Sequence, residues 1–161
     1  MAISANTLRP GFDNQGRESF VVASGITIFA GSYVALAGPG HASAGYLVKY
    51  LPDTANLIPL GFSLQNVVGD GVKTCSVNMA GGVLKGITVG GVTGDITDVG
   101  KVVYLSDDGT FTVTAPTTGQ RRARLGFIVR FVTSTTFDVM CFSAAQLGVL
   151  YAATGGAIPA A

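Results

Sequence analysis

A single histidine, two cysteines and a charged fraction of 12% set narrow limits on the chemistry open to this chain. One histidine and two cysteines in separate segments give no ligand pair at zinc spacing. Cys75 and Cys141 each sit in a strand-like run, where a reduced, buried thiol acts as a small hydrophobe. The net charge of +1 lacks the basic field that nucleic acid or anionic lipid requires. No apolar run reaches the roughly 18 residues that span a bilayer. The opening MAISANTLRPGF has neither the basic start nor the apolar segment of a signal peptide. The expectation is synthesis in the cytosol, with no membrane and no nucleic-acid partner.

What is abundant is glycine and apolar side chain. The 161 residues include 23 glycines and 48% hydrophobic residues. A chain of this length buries a core without disulfides or metals, so one domain with tails is expected. So apolar a sequence with so little charge implies that other subunits cover part of its surface.

The most legible stretch runs from Gly100 to Phe142. Lys101 to Leu105 is β-branched and aromatic, Ser106-Asp107-Asp108-Gly109 is a turn cluster, and Thr110 to Thr114 alternates with period two. That pattern predicts a hairpin with Phe111 and Val113 on the core face and threonines on the other. Leu125 to Val132 and Thr136 to Phe142 repeat it around Thr133-Ser134-Thr135, so four strands and no helix fill the stretch.

Residues 1–18, with Pro10, Gly11, Asn14 and Gly16, show no periodicity and read as an extended arm. From Ser19, short runs follow: Phe20 to Ala23, Ile26 to Phe29, Tyr33 to Ala37, Tyr46 to Tyr50 and Leu57 to Leu64. The last contains Pro59, which places it at an edge or a bulge. Lys73 to Met79 alternates, with Cys75, Val77 and Met79 inward. Gly81 to Gly100 reads either as tight hairpins or as a loosely paired wall. Gly31 to Leu36 and Gly100 to Leu105 share the form G-x-x-V-x-L, each followed later by Leu-Gly-Phe, at 60–62 and 125–127. This is either a doubled half-barrel or a chance recurrence in a glycine-rich β protein. Ala144 to Ala153 reads as a helical turn or a last strand, ending in a flexible tail. The divisions are an arm (1–18), a β-barrel domain (19–143) and a C-terminal tail (144–161).

His41 lies two residues before Ser43, but no G-x-S-x-G elbow is present, and a loop histidine explains it. Asp107, Asp108, Asp95 and Asp98 lack the ligand series of a calcium loop. Gly69-Asp70-Gly71 and Gly90 to Gly94 match no phosphate loop and open no helix. No cofactor or metal is expected, and no catalytic residue is assigned. The one polar concentration is Gly119 to Arg124, with Arg121, Arg122 and Arg124. It is either a solvated loop or a set of bidentate contacts to carboxylates on a partner protein.

Phe20 to Ala23, Ala30 to Leu36, Leu60-Gly61-Phe62, Val99 to Gly109, Leu125 to Val129 and Phe137-Asp138-Val139, taken in order, resemble the capsid cement, or decoration, proteins of tailed bacteriophages. Val-Tyr-Leu-Ser-Asp-Asp-Gly after Gly-Lys is the strongest piece. The resemblance implies an all-β, Gly-rich antiparallel β-barrel or β-tulip-like domain, a homotrimer on the outer surface of the virion capsid. Its partner is then the major capsid protein, and its role is to stabilise the shell by bridging subunits. The expected capsid contacts are Arg9, Phe12 and Arg17 on the arm and Arg121, Arg122 and Arg124 on the loop. Two other readings remain. A head-fibre or host-glycan module requires Tyr33, Tyr46, Tyr50 or Tyr104 on an exposed platform, and a trimeric β-rich enzyme requires a carboxylate converging on His41.

Overall fold

The computed structural model describes residues 16–117 and 122–146. It is almost all β, with antiparallel sheets that curl like half-barrels, as the alternation and turn clusters predict. The first sheet has the order β1-β7-β5-β3-β4. Its strands are Arg17–Val21 (β1), Tyr33–Ala37 (β3), Leu47–Lys49 (β4), Leu57–Ser63 (β5) and Thr74–Asn78 (β7). The second has the order β10-β9-β11-β12-β8. It comprises Gly82–Thr88 (β8), Val102–Leu105 (β9), Phe111–Thr112 (β10), Arg124–Phe131 (β11) and Thr136–Cys141 (β12). A short ribbon pairs Thr27–Ile28 (β2) with Val67–Val68 (β6).

The four strands expected between residues 100 and 142 are present, but the first hairpin differs in detail. Its returning strand is only two residues long, and Thr112 is the buried side chain, while Phe111 and Val113 stay half-exposed against the core. The Thr112 hydroxyl donates to the Gly90 carbonyl at 3.3 Å and accepts the Thr114 N–H at 3.0 Å, so its burial leaves no unmet bond. The strand ends there because the Val113 N–H turns away to the Gly90 carbonyl. Pro59 lies beside a bulge in the β3–β5 ladder, and β7 pairs β5 only at Phe62 and Ser63. Its missing donor therefore faces no partner strand. The glycine-rich stretch 81–100 supplies one mostly exposed edge strand, β8, and a 3₁₀ turn at Ile96–Asp98. Arg17 and Glu18 pair with Asn78 and Val77, so β1 begins inside the segment expected to be an arm.

The weak sequence repeat is a structural one. In β3–β5 the pairs are Tyr33↔Phe62 and Val34↔Gly61, with a bulge before Ala35↔Pro59. In β9–β11 they are Val102↔Phe127 and Val103↔Gly126, with a bulge before Tyr104↔Arg124. The flanking bonds match as well: Gly31 N–H to Ser63 O (2.9 Å) and Gly100 N–H to Ile128 O (2.8 Å), then Ser63 N–H to Ser32 O and Ile128 N–H to Lys101 O. The two glycines recur for one reason. A Cβ on Gly61 would lie 1.9 Å from the Asn78 carbonyl oxygen, and one on Gly126 would lie 1.7 Å from that of Met140. Strand by strand, β1, β3, β4, β5 and β7 correspond to β8, β9, β10, β11 and β12.

The halves are stacked front to back. The main core takes Tyr33, Ala35, Val48 and Leu57 from the first sheet, which we term its front face. From the second sheet it takes Val103, Leu125, Phe137 and Val139. These correspond to Val34, Leu60, Cys75 and Val77, which lie on the back of the first sheet. There they form a second core with Ile28 and Val67 of the ribbon. The layers therefore run ribbon, first sheet, second sheet.

Candidate interaction surfaces

The expected contact residues scatter. Arg9, Phe12 and Arg121 lie outside the described residues. Arg17 is exposed at the start of β1. Arg122 and Arg124 are half-buried at the entry to β11, where Arg122 Nη1 reaches the Thr114 carbonyl at 3.4 Å. They flank Ala123, which is fully buried and donates its N–H to the Tyr50 hydroxyl at 2.6 Å. The loop's end is thus anchored in the core between the halves. Burial pushes the Tyr50 hydroxyl up to about 12, against the Ala123 hydrogen bond, which acts the other way.

The glycine-rich loop before β9 does cradle an anion, and it is the protein's own. Asp98 is fully buried, and its carboxylate accepts from the amides of Thr93 (3.1 Å), Gly94 (2.7 Å) and Asp95 (3.2 Å). It also accepts from the Thr93 hydroxyl and from Lys101 Nζ at 2.5 Å. Burial alone would raise this carboxyl, but the Lys101 and amide bonds outweigh it and hold it below the usual carboxylate range. Asp95 and Asp98 form a reciprocal capping box around the 3₁₀ turn. Asp70 is likewise spent on a turn, accepting the Val72 and Lys73 amides at 2.9 and 2.8 Å.

His41 Nδ1 accepts the Ser43 amide at 3.0 Å, a local turn contact. Among the described residues, no group of three His, Cys, Asp or Glu side chains could hold a metal ion. Cys75 and Cys141 are both free and buried, and burial raises both thiols, Cys141 to about 11. Tyr33, Tyr50 and Tyr104 are core residues, leaving Tyr46 as the exposed member of the four that a glycan platform would need. Asp108 ties the turn of the second half to the first: its carbonyl accepts the Tyr33 N–H at 2.5 Å and its carboxylate pairs with Lys49 at 3.3 Å. A small apolar cleft of about 100 Å³ opens between the halves, lined by Tyr33, Phe62, Met79, Leu84, Cys141 and Phe142.

Two apolar surfaces escaped the sequence reading. One is the outward face of the second sheet, with Val83, Val102 and Met140 exposed. The other is the outer side of the ribbon, with Phe29, Val68 and Val72 exposed. The only signal for the first was that β9 is apolar at every position, so both its faces were candidates for burial. Comparison with family models, curated protein sequences and solved structures finds no match to this chain.

Proposed function

We propose that this chain is a cement, or decoration, protein of a tailed-phage capsid, which binds the outer surface of the shell as a homotrimer and bridges major capsid subunits. The observation that carries the reading is the distribution of apolar surface: it lies on broad sheet and ribbon faces rather than in a pocket. Surfaces of that kind suit many weak contacts spread over several subunits, which is how a shell is held against internal pressure. On this reading the curled sheets are the barrel- or tulip-like body of that family, and the hairpin of Gly100 to Gly109, the strongest piece of the resemblance, is the turn by which Asp108 locks one half to the other.

Electron microscopy of particles with and without the protein tests the proposal. Cementing predicts density at fixed outer positions and greater heat resistance of the decorated shell; particles that take up none of it would refute the reading.

A further inference from the structure

Both ends of the described body meet at Met79, in the wall of the apolar cleft between the halves. The Gly16 carbonyl accepts the Met79 N–H at 2.7 Å, and the Ala144 N–H donates to the Met79 carbonyl at 2.9 Å. The cleft, about 100 Å³, is smaller than the roughly 150 Å³ cavity that houses a benzene ring, so it takes one aliphatic side chain. Gly81 and Gly82 stand in its wall and bring no side chain to fill it. After β12 the chain turns helical at residues 144–146, and a reciprocal capping box opens that turn. The Ser143 N–H donates to Gln146 Oε1 at 2.8 Å, and the Gln146 N–H donates to Ser143 Oγ at 3.3 Å.

We infer that Leu147 of the same chain fills this cleft, as the first anchor of a short C-terminal helix continuing from Ala144. With Ser143 as the cap, Phe142 is the residue before it and Leu147 the fourth helical position, the two places that pack together in a hydrophobic staple. Phe142 is itself in the cleft wall. It is held there by its N–H bond to the Leu125 carbonyl at 2.8 Å and by an edge contact with Phe127, ring centroids 5.7 Å apart. Leu150 and Tyr151 follow Leu147 at helical spacing, which gives the segment one apolar stripe. Gly148 makes so short a helix marginal unless that stripe is packed, and the cleft offers an apolar surface within one turn's reach. The N-terminal arm is the poorer occupant, because Asp13, Asn14 and Gln15 precede Gly16 and Phe12 is its nearest large apolar side chain. This docking needs no shell, and it takes the start of the C-terminal tail out of the segments free to bind one.

Cys141 lines the cleft and Cys75 lies in the other core, so thiol labelling reads the site with an internal reference. The full chain is treated with N-ethylmaleimide, and the two cysteines are followed separately by peptide mass spectrometry, with circular dichroism as the check on folding. Truncation after Gln146 should raise the Cys141 rate relative to Cys75 at least about tenfold, the loss expected when one buried leucine no longer holds the segment down. Leu147→Asp, which keeps the whole chain, should do the same, and Leu147→Met should label like wild type. Equal Cys141 rates in the full chain, the truncated chain and Leu147→Asp overturn the inference. So does protection that is lost on removing residues 1–15 and kept on truncation after Gln146, which makes the arm the occupant. A wild-type Cys141 rate that climbs on dilution also overturns it, since the cover then comes from a second copy.

Discussion

The Ala123 amide donates to the Tyr50 hydroxyl at 2.6 Å, joining the end of β4 to the entry of β11 across the buried boundary between the two halves. The Tyr33 ring stands edge-on to Tyr50 with centroids 5.9 Å apart, so a neighbour in the first sheet braces the ring whose hydroxyl receives the bond from the second half. Tyr50→Phe keeps the ring and leaves a buried N–H without its acceptor. The expected loss is about 1–3 kcal/mol in urea unfolding.

The same buried groups set the alkaline limit. Burial raises the Tyr50 hydroxyl to about 12 and the Cys141 thiol to about 11, and it raises Tyr33 as well. In the unfolded chain these groups lose protons near their ordinary values of about 10 for tyrosine and 8.5 for cysteine. Their contribution to stability is therefore complete below about pH 8.5 and is lost as pH rises through the folded values. Melting temperature should fall steeply between about pH 9 and 12, with Tyr50→Phe showing a shallower decline.

Asp98 sets the acid limit with the opposite sign. Its carboxyl is depressed in the folded state, so its contribution is present above the unfolded carboxylate value, about 3.9, and is lost as pH falls below it. Asp98→Asn should destabilise the protein at neutral pH, and its stability should change less than wild type's in an acid titration followed by circular dichroism.

Gly61→Ala and Gly126→Ala should fail together. Each new methyl group meets a carbonyl oxygen of the neighbouring strand at less than 2 Å, at corresponding places in the two halves. Each should cost more than about 3 kcal/mol, beyond ordinary overpacking. Gly109→Ala, where nothing lies within 4 Å, should change stability by less than about 0.5 kcal/mol.

The proposed arm is tested by truncation after residue 15. Gly16 must stay, because its carbonyl accepts the Met79 N–H at 2.7 Å and β1 starts at Arg17. The shortened protein should keep its thermal unfolding transition and lose occupancy on capsids. Full occupancy on the shell would remove the arm from the binding surface.

Strands were legible where one face alone is buried. Cys75 and Val77 alternate with polar neighbours, and β7 follows the alternation. The repeat was legible because Gly61 and Gly126 recur for a steric reason that no other residue satisfies. Which face of each sheet is covered was not, since β3 and β9 are apolar on both sides and periodicity assigns no direction to such a run. The ribbon was illegible because two-residue strands carry no period. The Asp98 cradle was half visible: Asp95-Ile96-Thr97-Asp98 has the spacing of a capping box, but the amides that fill the site are set by backbone geometry. The arginine cluster was visible, yet the burial of Ala123 between two of its members depends on Tyr50, far away in sequence.

The ribbon over the first sheet acts as the end-piece of a two-layer array. Stacked repeats stay soluble when their terminal units shield the last hydrophobic layer, and Ile28 and Val67 of the ribbon shield the back of the first sheet in this way. Cutting the ribbon away would therefore strip the cover from Val34, Leu47, Cys75 and Val77 together, which makes two two-residue strands the keystone of the second core.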